Sequence, residues 1–315
     1  QLTSSQKIFL VLIANAVSSL VTLIMLRNEV KLSFVKADWK MSLQILKYSW
    51  PLILVTLVYT VIQNGYTSFL KYLLPGSRIQ NLSASDDLVA AVRLAVIMNI
   101  FITAFNYAAE PFFFRHAGMK DSKQIYAQLN LFFVICCCAI YFLTCLNVNL
   151  VSMLIGPAYR SAIHLLPIFL LANIFAGIFT NMSSWYKLND KTVQAAWISI
   201  GGFILNALLF ILLVPKYGRD VTAWISLAVY VFMAIVSYVQ GLRNFYIPYD
   251  LIRTSFYLGG TISMVYVVST YFKTWYADAI LMFAFSILLF IGYCYFVYKF
   301  EYCRILSNTL DNSET

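Results

Sequence analysis

Long apolar runs recur along this sequence and leave a lipid bilayer as its natural solvent. A helix that crosses the hydrocarbon core needs about 20 mostly apolar residues. Runs of that kind lie at roughly 8–26, 49–70, 88–109, 128–146, 161–183, 195–214, 221–240, 251–271 and 279–298. Short polar or Gly/Pro punctuation separates them, such as Pro75-Gly76-Ser77, Gly156-Pro157 and Pro215-Lys216-Tyr217-Gly218. Segments this long favour helices over the short alternating strands of a β-barrel. Of the 315 residues, 61% are hydrophobic and 11% charged, against roughly 45–50% and about 25% in a soluble domain. A soluble core of this length leaves too much surface wet to absorb such a composition. The sequence therefore reads as an all-α integral membrane protein of about nine transmembrane helices.

The net charge of +9 does not point to nucleic acid, because the basic residues are scattered between apolar runs. They orient the helices instead, with the more basic loops facing the cytoplasm. The segment between the first two runs carries Arg27, Lys31, Lys36, Lys40 and Lys47, interleaved with Leu32, Phe34, Val35, Trp39 and Met41. That amphipathic pattern predicts a stretch lying along the lipid headgroups. An odd number of spans then puts the C-terminus on the same, cytoplasmic side. The polar end from Ser307 to Thr315 reads as a frayed tail. The chain opens on Gln1 and has no cleavage-site pattern after its first apolar run, so a preceding portion is expected rather than a signal peptide. Cys136, Cys137, Cys138, Cys145, Cys294 and Cys303 lack CxxC spacing. Consecutive helical residues diverge by about 100° and do not converge on one ion. No metal or disulfide role is expected of them.

Polar side chains inside the spans carry the functional information, because they are costly in hydrocarbon unless they face a cavity or a partner. In the third span Asn99, Thr103, Asn106 and Glu110 recur at helical spacing and share one face. That stripe fits a cavity wall. The plainer alternative is hydrogen bonding between helices, worth about 0.6 kcal/mol per bond. Glu110 has a structural alternative of its own, an ion pair holding the end of its helix. Arg93, about five residues from the outer end of the same span, fits an anionic headgroup or a side chain snorkelling to the interface. The second span contributes Tyr59, Gln63, Asn64, Tyr66 and Thr67, and the fifth Pro167, Asn173, Gly177, Asn181 and Ser184. Pro167 is expected to kink its helix. His116 and His164 read as single, unpaired histidines. Asp86-Asp87 could serve a glycosyltransferase or polymerase, but charge complementing the N-terminus of the next helix explains the pair more cheaply. No Ser/His/Asp set, HExxH or Walker loop is present.

Four stretches carry a family likeness: Lys47-Tyr48-Ser49-Trp50-Pro51-Leu52, Phe69-Leu70-Lys71-Tyr72-Leu73-Leu74-Pro75-Gly76, Tyr107-Ala108-Ala109-Glu110-Pro111-Phe112-Phe113-Phe114, and Trp185-Tyr186-Lys187-Leu188-Asn189-Asp190-Lys191-Thr192. Together they resemble the Wzx-like polysaccharide flippases of the multidrug/oligosaccharidyl-lipid/polysaccharide (MATE-like) exporter superfamily. The resemblance implies helices 6 to 14 of a fourteen-helix fold built from two lobes around a cleft. It divides the chain into 1–26 as the last helix of a preceding lobe, 27–48 as a cytoplasmic amphipathic linker, 49–246 as a six-helix lobe, 247–300 as two additional helices and 301–315 as a cytoplasmic tail. Where relatives carry an Asp-Arg pair, Tyr66 and Thr67 stand here, and Asn106 occupies a common arginine position.

The function so implied is alternating-access translocation of undecaprenyl-diphosphate-linked oligosaccharide across the bacterial inner membrane. It would feed O-antigen, capsule or exopolysaccharide synthesis beside polymerases and glycosyltransferases. It needs no cofactor, no metal and no catalytic residue. Cavity candidates are Asn64, Arg93, Asn99, Asn106, Glu110, Asn173 and Asn181. The 22 tyrosines suit sugar hydroxyls, although many belong to an ordinary interfacial belt. A cation-coupled drug antiporter of the same superfamily is the alternative, and would need a buried acidic residue.

Overall fold

The computed structural model describes residues 4–26, 38–116, 119, 121–189, 191–271 and 279–311. It is all-α among those residues. The helices are α1 (Ser4–Met25), α2 (Trp39–Asn64), α3 (Tyr66–Leu73), α4 (Arg78–Leu94), α5 (Val96–His116), α6 (Ser122–Leu146), α7 (Val148–Ser152), α8 (Leu166–Met182), α9 (Ser184–Leu188), α10 (Thr192–Tyr217), α11 (Val221–Asn244), α12 (Leu251–Tyr271) and α13 (Ala279–Asp311). Among the described residues, eight helical segments are long and apolar enough to cross a membrane, and Leu12–Leu26 is a shorter apolar helix. The chain is a multi-pass membrane protein.

The chain divides into two compact units, Gln1–Leu46 and Lys47–Thr315. The first holds α1 and the opening residues of α2. The amphipathic stretch read at 27–47 lies outside the described residues as far as position 37, and from Trp39 the backbone is already helical.

The larger unit is organised around α6, α8 and α11. Helix α8 lies along α11 and against α6, α10 packs on α11, and α12 and α13 pack on α6. Helix α10 shows how the sequence sorts its faces. Trp197, Ile204, Leu208 and Ile211 point outward, while Ser199, Gly202, Asn206 and Phe210 are buried against neighbours. Lipid rewards a greasy exterior, and small or polar residues let helices approach inside. At Gly177 of α8 an added Cβ would lie 2.3 Å from the Phe133 ring of α6, so the two helices meet where a side chain is missing. Helices α12 and α13 are joined at one end by Arg253, which bonds Asp250 at 2.6 Å and Glu301 at 3.0 Å. The Tyr257 hydroxyl also donates to Glu301 at 2.9 Å.

Two spans read as continuous are broken. The second stops at Asn64 and restarts at Tyr66, and the third stops at Leu94 and restarts at Val96. At the first break a Cβ on Gly65 would sit 2.4 Å from the Val61 carbonyl oxygen, a contact only glycine avoids. At the second, Met98 N–H bonds back to the Ala95 carbonyl at 3.1 Å, a tightened turn of the i→i+3 type.

Pro167 does not kink its span. It occupies the first turn of α8, where its missing N–H has no intrahelical partner to lose.

The charges at Asp86-Asp87 do not sit at a helix N-terminus. Ser77 caps α4 in a capping box with Gln80, so both aspartates lie well inside that helix. Asp87 accepts a hydrogen bond from Ser161 and pairs with Arg219 at 3.3 Å. His164 is not unpaired either: its Nε2 lies 3.3 Å from Asp220.

Candidate functional site

The polar faces of α2 and α5 converge on one cavity of about 700 Å³. Its polar lining comes from α2 (Thr56, Tyr59, Thr60, Gln63, Asn64), α3 (Tyr66, Thr67), the end of α4 (Arg93), α5 (Asn99, Thr103, Asn106) and the α8–α9 junction (Thr180, Ser183, Tyr186, Lys187), interleaved with apolar Leu52, Val55, Val89, Val92, Val96, Ile102 and Phe179. The spacing of Asn99, Thr103 and Asn106 puts their side chains on one side of α5, and that side faces the cavity. Arg93 and Lys187 supply the charge there; no carboxylate lines this cavity among the described residues.

A smaller pocket of about 140 Å³ adjoins it, lined by Asn106, Glu110, Phe113, Phe114, Asn181 and Lys187 among others. Asn106, Thr180 and Lys187 belong to both walls. At the junction the Lys187 ammonium donates to Glu110 at 2.8 Å. With the two side chains 28% and 48% exposed, water screens the pair and its contribution to stability is small. Its effect is positional: it ties α5 to α9 and cancels the local charge.

Asn173 is buried and absent from the wall of either pocket. Its Nδ2 donates to the Ala95 carbonyl at 3.2 Å, and its Oδ1 accepts from Gln63 at 3.3 Å. Gln63 also donates to the Tyr59 hydroxyl at 3.1 Å. This chain of bonds joins α2 and α8 to the α4–α5 break, where Asn173 adds a second donor to the Ala95 carbonyl already bonded by Met98 N–H. It also places Ala95 level with the middle of α8, so nearby Arg93, in the last turn of α4, sits beside the α4–α5 break.

Of the seven candidate residues, Asn64, Arg93, Asn99 and Asn106 line the large cavity. Glu110 and Asn181 line the small pocket, and Asn173 braces the wall from behind. Glu110 also forms the ion pair anticipated for it. Lys187 was legible only as a loop charge, because its role depends on the turn at Ser183 that swings α9 across the end of α5. Thr56, Thr60 and Thr180 were not singled out. Threonine bonds its own helix backbone, as Thr60 does to Thr56 at 2.8 Å, and so reads as neutral in an apolar span.

The cysteines of α6 stay apart from this site. Cys137, Cys138 and Cys145 are buried on α6, and among the described residues no cluster of His, Cys, Asp or Glu is placed to hold a metal. Compared with known proteins, the chain matches no family model, no curated protein and no solved structure.

Proposed function

We propose that this protein carries undecaprenyl-diphosphate-linked oligosaccharide repeat units across the bacterial inner membrane by alternating access, with its C-terminus in the cytoplasm. The reading rests on the resemblance of the four sequence blocks and on one structural observation. Amides and hydroxyls share the cavity wall with apolar side chains, and its two charged groups are the cations Arg93 and Lys187, the latter paired with Glu110. A diphosphate is matched by Arg93, sugar hydroxyls are matched by Asn64, Asn99 and Asn106, and the polyprenyl tail stays in lipid. Helices interrupted beside a polar cavity recur in transporters, where irregular backbone is tolerated next to water or protein. A drug antiporter needs a free acidic group in the cavity to bind its coupling ion, and the nearest carboxylate, Glu110, is held by Lys187. A glycosyltransferase acting through Asp87 would have to release that side chain from Ser161 and Arg219.

The test is made in a deletion strain of the source bacterium. Lipid-linked oligosaccharides are assigned to a membrane face with an impermeant sugar-binding probe on intact spheroplasts. Accumulation on the inner face is expected, with rescue by the wild-type gene but not by Asn99→Leu. Single repeat units collecting on the outer face would mean that flipping continues and would transfer the case to a polymerase.

A further inference from the structure

The small pocket next to the Glu110–Lys187 pair is built unlike the cavity it opens from. Its two charges cancel at 2.8 Å. An anion entering it meets the Glu110 carboxylate, and a cation meets the Lys187 ammonium. What it can reward is a neutral molecule rich in hydroxyls, which donate to Glu110 and accept from Lys187. Asn181 adds a demand of its own: the residue is 4% exposed, lines the pocket, and its Nδ2 has no hydrogen-bond partner. A buried donor without an acceptor is costly, and a ligand oxygen removes that cost. Phe113 and Phe114 bring aromatic surface to the same wall, and the C–H face of a sugar ring packs on such surface. At about 140 Å³ the space holds the volume of a few waters of ~30 Å³ each, on the scale of one ring rather than a chain.

We infer that this pocket is a subsite for a single neutral sugar ring, a hexose or N-acetylhexosamine. Its place in transport rests on the flippase reading given above. Arg93, on α4 just before the break, and Glu110, ~21 Å along α5 from Val96 at 1.5 Å per residue, stand at opposite ends of the Asn99–Asn106 stripe. With the diphosphate at Arg93, an outer sugar of the repeat unit reaches the pocket, and the ring bound there helps to set which glycan is carried.

The experiment uses the full chain in lipid nanodiscs, with glucose, galactose and N-acetylglucosamine as probes and saturation-transfer NMR as the readout. Saturable binding of at least one sugar is expected in the millimolar range. It should weaken at least tenfold in Asn181→Leu and several-fold in Phe114→Ala, and persist in the outward-facing variant Trp197→Ala. Phe114 is half exposed, so its truncation tests the subsite even if Asn181→Leu fails to fold. Absence of binding by all three sugars, wild-type binding in Phe114→Ala, or binding of inorganic phosphate in their place would each overturn the assignment. Its fate is separable from that of the transport reading. Sugar binding lost in Phe114→Ala cells that keep normal surface glycan supports the subsite and counts against flipping. Loss of surface glycan without any sugar binding does the reverse.

Discussion

Helices α5 and α6 are neighbours of similar length, and both are apolar enough to span a membrane, yet they use polar side chains in opposite ways. The most apolar stretch of α6 is 67% buried inside the protein, and that of α5 only 22%. On α6, Asn130 and Thr144 are sealed among neighbouring helices. On α5, Asn99, Thr103 and Asn106 face an open cavity. Polarity within a span therefore carries two meanings, a contact between helices or a wetted wall. Packing around the helix decides between them. The same division runs through the candidate residues, with Asn173 on well-packed α8 acting as a brace and Asn106 on loosely packed α5 acting as lining.

The sharpest way to break this contrast is to overfill the packed side. In Gly177→Val the new Cβ would begin 2.3 Å from the Phe133 ring, and that ring is completely buried. Overpacking of this kind costs about 3 kcal/mol. A large fall in the detergent melting temperature, or loss of monodisperse protein, is expected. Unchanged melting would mean that α6 and α8 do not meet as described.

A middle-sized effect is expected at the brace. Asn173→Leu removes one of the hydrogen bonds made by the Gln63 amide and one of those accepted by the Ala95 carbonyl, which keep Tyr59 and Met98 as partners. Hydrogen bonds between membrane helices are individually modest, so losing two brings the cost to about 1 kcal/mol. Gln63→Leu made on top of it should cost less than it does alone, because its partner is already gone. Strict additivity in that double-mutant cycle would show that the two side chains do not act as a unit.

Much of this architecture could be read from residue order, and the parts that could not share a cause. The number of spans and the stripe on α5 follow from local periodicity. The breaks at Gly65 and Ala95 do not. Ala95 sits in unremarkable helical sequence, and the hydrogen bond that holds its break comes from Asn173, 78 residues away. Pro167 misled in the other direction, since a proline looks like a kink until the helix start is known. Asp86-Asp87 looked like an N-terminal charge pair because the apolar run begins near position 88. The capping signal at Ser77 and Gln80 lies in a polar segment that a hydropathy reading skips. His164 and Lys187 found their carboxylate partners only through tertiary structure.

The smallest effects on stability should give the cleanest separation of wall from contact. In a cysteine-free background, Thr103→Cys and Asn64→Cys place thiols at exposed positions on the cavity wall, and each should change stability by no more than about 0.5 kcal/mol. A charged, membrane-impermeant thiol reagent reaches them only if the cavity is wet and continuous with solvent. Asn130→Cys and Ser199→Cys place the same group at buried helix contacts, where neither water nor the reagent can follow. Fast labelling at the first pair and none at the second is the expected pattern. Equal protection at all four positions would make the α5 stripe a helix contact like that of α6. Equal labelling would mean that the α6 and α10 faces open to water, and the difference between the two halves of the molecule would then be one of mobility rather than of packing.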